Sequence, residues 1–166
     1  MQRANSLAVR RVLAVGIAVL LLDQLTKRLV VGTIDRGTRH EVLPVLDITY
    51  VRNEGVAFSS FSGQPWIVGL LVVGALTALT VWFLRNRTVR LAWLAAGMLA
   101  GGAIGNVLDR VVEGAVIDFL KPPHWPAFNL ADMAIVGGML LLVLVVELEN
   151  RRTTADERRE TRAQRG

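Results

Sequence analysis

The stretch PWIVGLLVVGALTALTVWFL, Pro65 to Leu84, is twenty residues without a charge. At about 1.5 Å per helical residue it reaches about 30 Å, the thickness of a bilayer's hydrocarbon core. Trp66 and Trp82 stand near its two ends, where aromatic side chains favour the membrane interface. The link that follows carries Arg85, Arg87 and Arg90 and no acid, which places it on the cytoplasmic side. One bilayer crossing of known direction is enough to organise the rest of the chain.

Working outward, three further apolar runs fit as crossings: about Val12 to Val31, Leu91 to Leu108 and Phe128 to Val146. The first opens like a signal peptide, with Arg3, Arg10 and Arg11 before an apolar run, but no small-residue cleavage site follows it. It reads as an uncleaved span whose outer third contains Asp23 and Lys27. The composition agrees with a membrane class: 52% of the 166 residues are hydrophobic, and mean hydropathy is +0.44. The fold expected is an all-α membrane protein of four transmembrane helices, residues 1–148, with a polar cytoplasmic tail at 149–166. That tail, with six arginines and four acids, reads as solvated, either frayed helix or disorder.

Charge counting fixes the orientation. Of the 19 basic residues, three precede the first span, three lie in the Arg85–Arg90 link and six in the tail. The other seven, Lys27 and Arg28 in the outer third of the first span and five in the segments assigned outside, are matched on that side by eight acids, Asp23 among them. Both termini therefore face the cytoplasm, and residues 32–64 and 109–127 face outward. Within the first outer segment, Val42 to Arg52 has β-branched, partly alternating character and Asn53-Glu54-Gly55 reads as a turn, so a small β hairpin is expected. Val56, Ala57, Phe58 and Phe61 give it an apolar edge suited to lipid headgroups or a lipidated ligand.

The formal charge of +5 does not make a nucleic-acid binder, because the basic residues are scattered between apolar runs. There is no cysteine, which excludes disulfides and thiol nucleophiles. His40 and His124 are far apart and have no metal-ligand spacing, so no metal or other cofactor is expected.

Chemistry is sought where polar side chains enter apolar runs. Asp23 and Lys27 are one helical turn apart and could pair; they either line a polar pocket or neutralise one another while Lys27 and Arg28 snorkel to the interface. Gly101, Gly102 and Gly105 suit close helix packing. They precede Asn106, Asp109 and Arg110, of which Asn106 and Arg110 share a helix face and could present an amide and a guanidinium to a ligand. Arg110 could equally snorkel, with Asp109 balancing it. Asp118 and Asp132 flank Lys121-Pro122-Pro123-His124-Trp125-Pro126, whose prolines force a reversal that can bring two carboxyls together. Such a pair shares one proton and can activate water. Spacing alone leaves open the alternative of two helix-end acids, with Asp132 capping the fourth span.

Five ordered motifs then carry a resemblance: Asp23 to Lys27, Asn53 to Ser59, Gly101 to Arg110, Val116 to Phe119 and Phe128 to Asp132. Over about residues 12–147 the chain resembles the bacterial lipoprotein signal peptidases, signal peptidase II. The resemblance implies a membrane aspartyl endopeptidase that removes signal peptides from prolipoproteins just before a cysteine carrying diacylglycerol. It implies Asp118 and Asp132 as the catalytic pair and Asn53, Asn106, Arg110 and Asn129 as substrate-binding positions. Asp23, Lys27, Gly55, Gly102, Asp109 and Ala131 are implied as supporting. It also implies a monomer in the bacterial cytoplasmic membrane, with diacylglyceryl-modified prolipoproteins and membrane lipid as partners and no nucleic acid. Val56 departs mildly from the alanine common in the family. Two rival functions stand beside it: a small proton-coupled carrier using Asp23, Asp118 and Asp132, and a non-catalytic scaffold.

Overall fold

The computed structural model describes residues 2–54 and 65–164. Four helices, α1 (Gln2–Thr33), α2 (Pro65–Arg85), α3 (Ala92–Glu113) and α4 (Leu130–Ala163), carry a small sheet of β1 (Arg39–Leu43), β2 (Leu46–Asn53) and β3 (Val116–Lys121). The sheet is antiparallel in the order β1-β2-β3. Among the described residues, Leu130–Thr161 of α4 is long and apolar enough to cross a bilayer, and Leu70–Arg85 of α2 is a shorter apolar run.

The third helix is the centre of the assembly, packing against α1 on one side and α4 on another. Its glycines make this possible. A Cβ at Gly101 would lie 2.6 Å from the Gly16 carbonyl oxygen of α1, and one at Gly102 would lie 2.5 Å from the Ala131 carbonyl oxygen of α4. Two helices thus touch α3 backbone to backbone on neighbouring faces, as small residues in apolar solvent allow. Gly97 and Gly101 meet Val15, Gly16 and Val19, so α1 and α3 run parallel; Gly137 and Gly138 meet Met98 and Leu99, so α4 runs back against them. Gly114, at φ 73°, ends α3 by returning its N–H to the Arg110 carbonyl.

By contrast α2 leans on α3 more lightly. Between α2, α3 and α4 lies an apolar groove of about 400 Å³. Beside its Trp82 end Phe83 and Val145 join Ala8, Ala92 and Ala96 in a buried cluster.

Several elements differ from the sequence reading. The hairpin turn falls at Pro44 and Val45, between β1 and β2, and Asn53 ends β2 as a paired residue. The third helix continues to Glu113, past the expected end of its span, because nothing before Gly114 interrupts it. Asp118 lies on a strand, since Val116-Ile117-Asp118-Phe119 satisfies its backbone by pairing with β2. Of the two readings of the tail, the helical one is met: α4 continues through it to Ala163, aided by Arg151 on Glu147 at 2.6 Å, one turn apart. Gly55, Val56, Ala57, Phe58 and Phe61 lie outside the described residues.

The glycine contacts predict a selective sensitivity. Gly102→Val should lower the melting temperature in detergent, at a cost of about 1–3 kcal/mol, because the obstacle is the α4 backbone. Gly74→Ala, where an added Cβ meets nothing within 4 Å, should match or exceed wild type. Equal melting of the two variants would contradict this packing.

Candidate active site

The reversal after β3 is closed by backbone bonds. Phe128 returns beside Leu120, its carbonyl accepting from the N–H groups of Phe119 and Leu120 at 3.0 and 2.9 Å. The chain therefore enters α4 next to the strand carrying Asp118. Asn129 follows at once and precedes the first residue of α4.

Asn129 and Asp132 cap this helix reciprocally. The Asp132 N–H donates to Asn129 Oδ1 at 2.9 Å, and the Asn129 N–H donates to Asp132 Oδ2 at 3.2 Å, the arrangement of a capping box. The helix-cap reading of Asp132 is met in modified form: Asn129 is the N-cap and Asp132, three residues on, reaches back to its N–H. The second oxygen of Asp132, Oδ1, points away from the cap and accepts from Asn106 Nδ2 at 2.7 Å.

Asp118 is held from two sides. Asn129 Nδ2 donates to its Oδ1 at 2.8 Å and Asn53 Nδ2 to its Oδ2 at 2.9 Å. The second bond follows from register: Val51 is opposite Asp118, and Asn53 is diagonal to it on the adjacent strand. Asn129 thus touches both carboxyls, one through its side-chain amide and one through its backbone. Burial pushes the Asp118 carboxyl up to about 6, and the nearby Asp132 charge adds to the rise, while the Asn53 and Asn129 donors and the Lys27 ammonium pull it back.

Behind the pair is a buried ionic cluster. Lys27 Nζ lies 2.7 Å from Asp23 Oδ2, 2.8 Å from Asp109 Oδ2 and 3.2 Å from Asn106 Oδ1. Three acceptors meet the three protons of one ammonium. Lys27 is 1% exposed, Asp23 0% and Asp109 3%. The Asp23–Lys27 pair expected from spacing is present, and Arg28 rather than Lys27 reaches outward. Asp109 is the partner of Lys27, not a balance for Arg110. Arg110 is partly exposed and gives Nη1 to the Asn106 carbonyl at 3.0 Å.

The remaining carboxylate valences reach the backbone. Asp23 Oδ1 accepts from the Ala131 N–H at 2.9 Å, and Asp109 Oδ2 accepts from the Ile117 N–H at 3.1 Å. Gln24 Nε2 donates to Asp109 Oδ1 at 2.8 Å. Gln24 was not singled out by the sequence reading, although it sits inside the first motif beside Asp23. Asn106 and Asn129 are buried and already engaged with protein groups, so in this state they hold the carboxyls rather than open toward a ligand. Gly102 and Ala131 act through the α3–α4 contact, and Gly55 lies outside the described residues.

The site is thus two carboxyls on separate elements, bridged by one asparagine, in a mostly helical membrane-type fold. Residues 15–148 match the family described as Signal peptidase (SPase) II. Relatives named lipoprotein signal peptidase include that of Syntrophomonas wolfei, 38% identical over 135 residues covering 81% of this chain and 91% of that protein. That of Burkholderia thailandensis is 40% identical over 139 residues, 79% of this chain and 84% of that protein. A solved structure described as a bacterial membrane enzyme, obtained by the in meso method at 1.9 Å resolution, matches with a TM-score of 0.75 at 30% identity, over 81% of this chain and 91% of that one. With a paired-carboxyl site in the same matched region, the chain belongs to the signal peptidase II family, and it is an aspartic-type peptidase.

Proposed function

We propose that this peptidase removes signal peptides from diacylglyceryl-modified prolipoproteins, cutting before the lipidated cysteine, with Asp118 and Asp132 as its catalytic pair. The observation that carries this is Asn129, which ties both carboxyls into one hydrogen-bonded unit. In such a unit one carboxylate takes a proton from water as it attacks the scissile carbonyl. The protonated partner hydrogen-bonds the developing oxyanion, and the proton taken from water then goes to the leaving amine. Arg110, partly exposed and donating Nη1 to the Asn106 carbonyl, has further guanidinium donors suited to a substrate carbonyl.

The setting proposed is a monomer crossing the bacterial cytoplasmic membrane four times, both termini inside, with the sheet and the pair near the outer face. Residues 1–148 form the peptidase domain and 149–166 the cytoplasmic extension of α4. Exposed Leu13, Ile17 and Leu21 on α1, Leu70 and Val73 on α2, Ile104 on α3, and Leu140 and Val143 on α4 support lipid contact on all four helices. The apolar groove is the proposed seat for the signal peptide's apolar segment. Ile135 and Ala103 in its wall lie one turn inward from Asp132 and Asn106, and a peptide cut at the outer face runs inward from the scissile bond. The carrier alternative is not supported: Asp23 is spent on Lys27 and the Ala131 N–H, and the relatives are peptidases.

Three outcomes are expected. Asp118→Asn and Asp132→Asn should each slow cleavage of a diacylglyceryl-modified prolipoprotein in lipid by on the order of 10³-fold while the protein stays folded; cleavage at wild-type rate by either would remove the pair from the chemistry. Asp132 is a raising influence on Asp118, so in Asp132→Asn the Asp118 carboxyl should lose its proton at lower pH than in wild type. Infrared titration of the protonated carboxyl band reads this, and an unmoved midpoint would separate the two groups. Ala75→Phe, which fills the groove, should raise KM about tenfold or more with little change in melting temperature; an unchanged KM would place the signal peptide elsewhere.

A further inference from the structure

The ionic cluster and the carboxyl pair are joined at two points, and both are the residue just before a member of the pair. Asp23 holds the N–H of Ala131, which precedes Asp132; Asp109 holds the N–H of Ile117, which precedes Asp118. Both carboxylates are gripped by the same ammonium. That ammonium therefore clamps the backbone of α4 to the backbone of β3 through two short arms.

A third arm reaches Asn106. Its Oδ1 accepts from Lys27 and from Asn129 Nδ2 at 3.2 and 3.1 Å, leaving Nδ2 to donate to Asp132 at 2.7 Å. A turned-over amide would set its NH₂ against an ammonium and a second NH₂, donor against donor. Lys27 thus keeps a hydrogen bond aimed at Asp132 from the side opposite the α4 cap.

We infer that Lys27 is a positioning residue for hydrolysis, its ammonium setting both the separation of Asp118 and Asp132 and the direction in which the Asn106 amide faces Asp132. This rests on the reading of Asp118 and Asp132 as the reacting pair. It differs from a structural role in one respect: its loss should lower kcat and leave KM nearly unchanged, because Lys27 is buried and forms no part of the groove's wall. A misplacement of reacting groups by about 1 Å costs on the order of 100-fold in rate.

The chain has no cysteine, so Lys27→Cys introduces a single thiol. A cleft of about 350 Å³ lined by Gln24, Lys27, Arg28 and Asp109 lies beside this position, and the mass of the protein verifies complete alkylation before assay. Bromoethylamine converts that thiol into a side chain of lysine's length ending in an ammonium, and bromopropane gives the same length without charge. The expected result is a kcat down on the order of 100-fold in Lys27→Cys, restored to within about threefold by aminoethylation and not by propylation, with KM steady throughout. Wild-type kcat in the propylated protein, or no recovery in the folded aminoethylated one, overturns the inference. Should Lys27→Cys fail to fold, Lys27→Met combined with Asp109→Asn keeps the cluster's net charge, and a folded double variant with wild-type kcat overturns it equally. Asp118→Asn and Asp132→Asn assayed alongside separate the two ideas: cleavage by these variants rejects the pair itself, whereas their inactivity leaves the Lys27 series to be judged alone.

Discussion

One ammonium group between two carboxylates holds the sheet-bearing end of this molecule together. Lys27 is nearly sealed from solvent, where an unpaired charge would cost several kcal/mol, and each of its protons meets an oxygen. Because Asp23 and Asp109 spend their other bonds on the backbones of α4 and β3, the cluster joins α1, α3, α4 and the sheet at one place. The glycines of α3 bring the helices near enough for this, and the cluster in turn fixes their register. Replacing Lys27 leaves two buried carboxylates without a counter-ion, whereas replacing either acid leaves one ion pair in place.

The carboxyl pair is economical in a different way. Asp132 closes the first turn of α4 with one oxygen and presents the other to Asn106. Asn129 caps the same helix with its carbonyl oxygen while its amide nitrogen reaches Asp118. Helix initiation and placement of the pair are a single arrangement, so the site is anchored to the stiff end of a helix and not to a loop. The raised Asp118 carboxyl is the cost of drawing these groups away from water.

Much of this was legible in the chain. Uncharged runs and clustered arginines gave the helices, the prolines gave the reversal, and the i,i+4 spacing of Asp23 and Lys27 gave their pairing. What stayed hidden depends on contacts between distant segments. Asp109 looked like a partner for Arg110 because a helix shows its own neighbours, whereas its actual partner comes from α1. Asp118 gave little sign of lying on a strand, since a six-residue apolar stretch next to a helix is ambiguous until β2 supplies its partners. The resemblance implied substrate contacts for Asn53, Asn106 and Asn129; here their amides hold the two carboxyls. Gln24 was passed over because its value lies wholly in reaching Asp109.

With α1 as the first span of the proposed topology, the placement of Asp23 and Lys27 on one helix also bears on how the chain enters the bilayer. The ribosome completes α1 long before Asp109 or the Ala131 N–H exists. A lone aspartate or lysine at that depth would resist insertion by about 2.5–3.5 kcal/mol, and its partner would arrive only with the third helix. Set one turn apart, the two neutralise each other within α1 itself, so the nascent helix can leave the translocon with its ion pair already made. Assembly then adds a second carboxylate to a lysine that has never been alone in lipid. The order of synthesis and the final electrostatics are reconciled by a spacing of four residues.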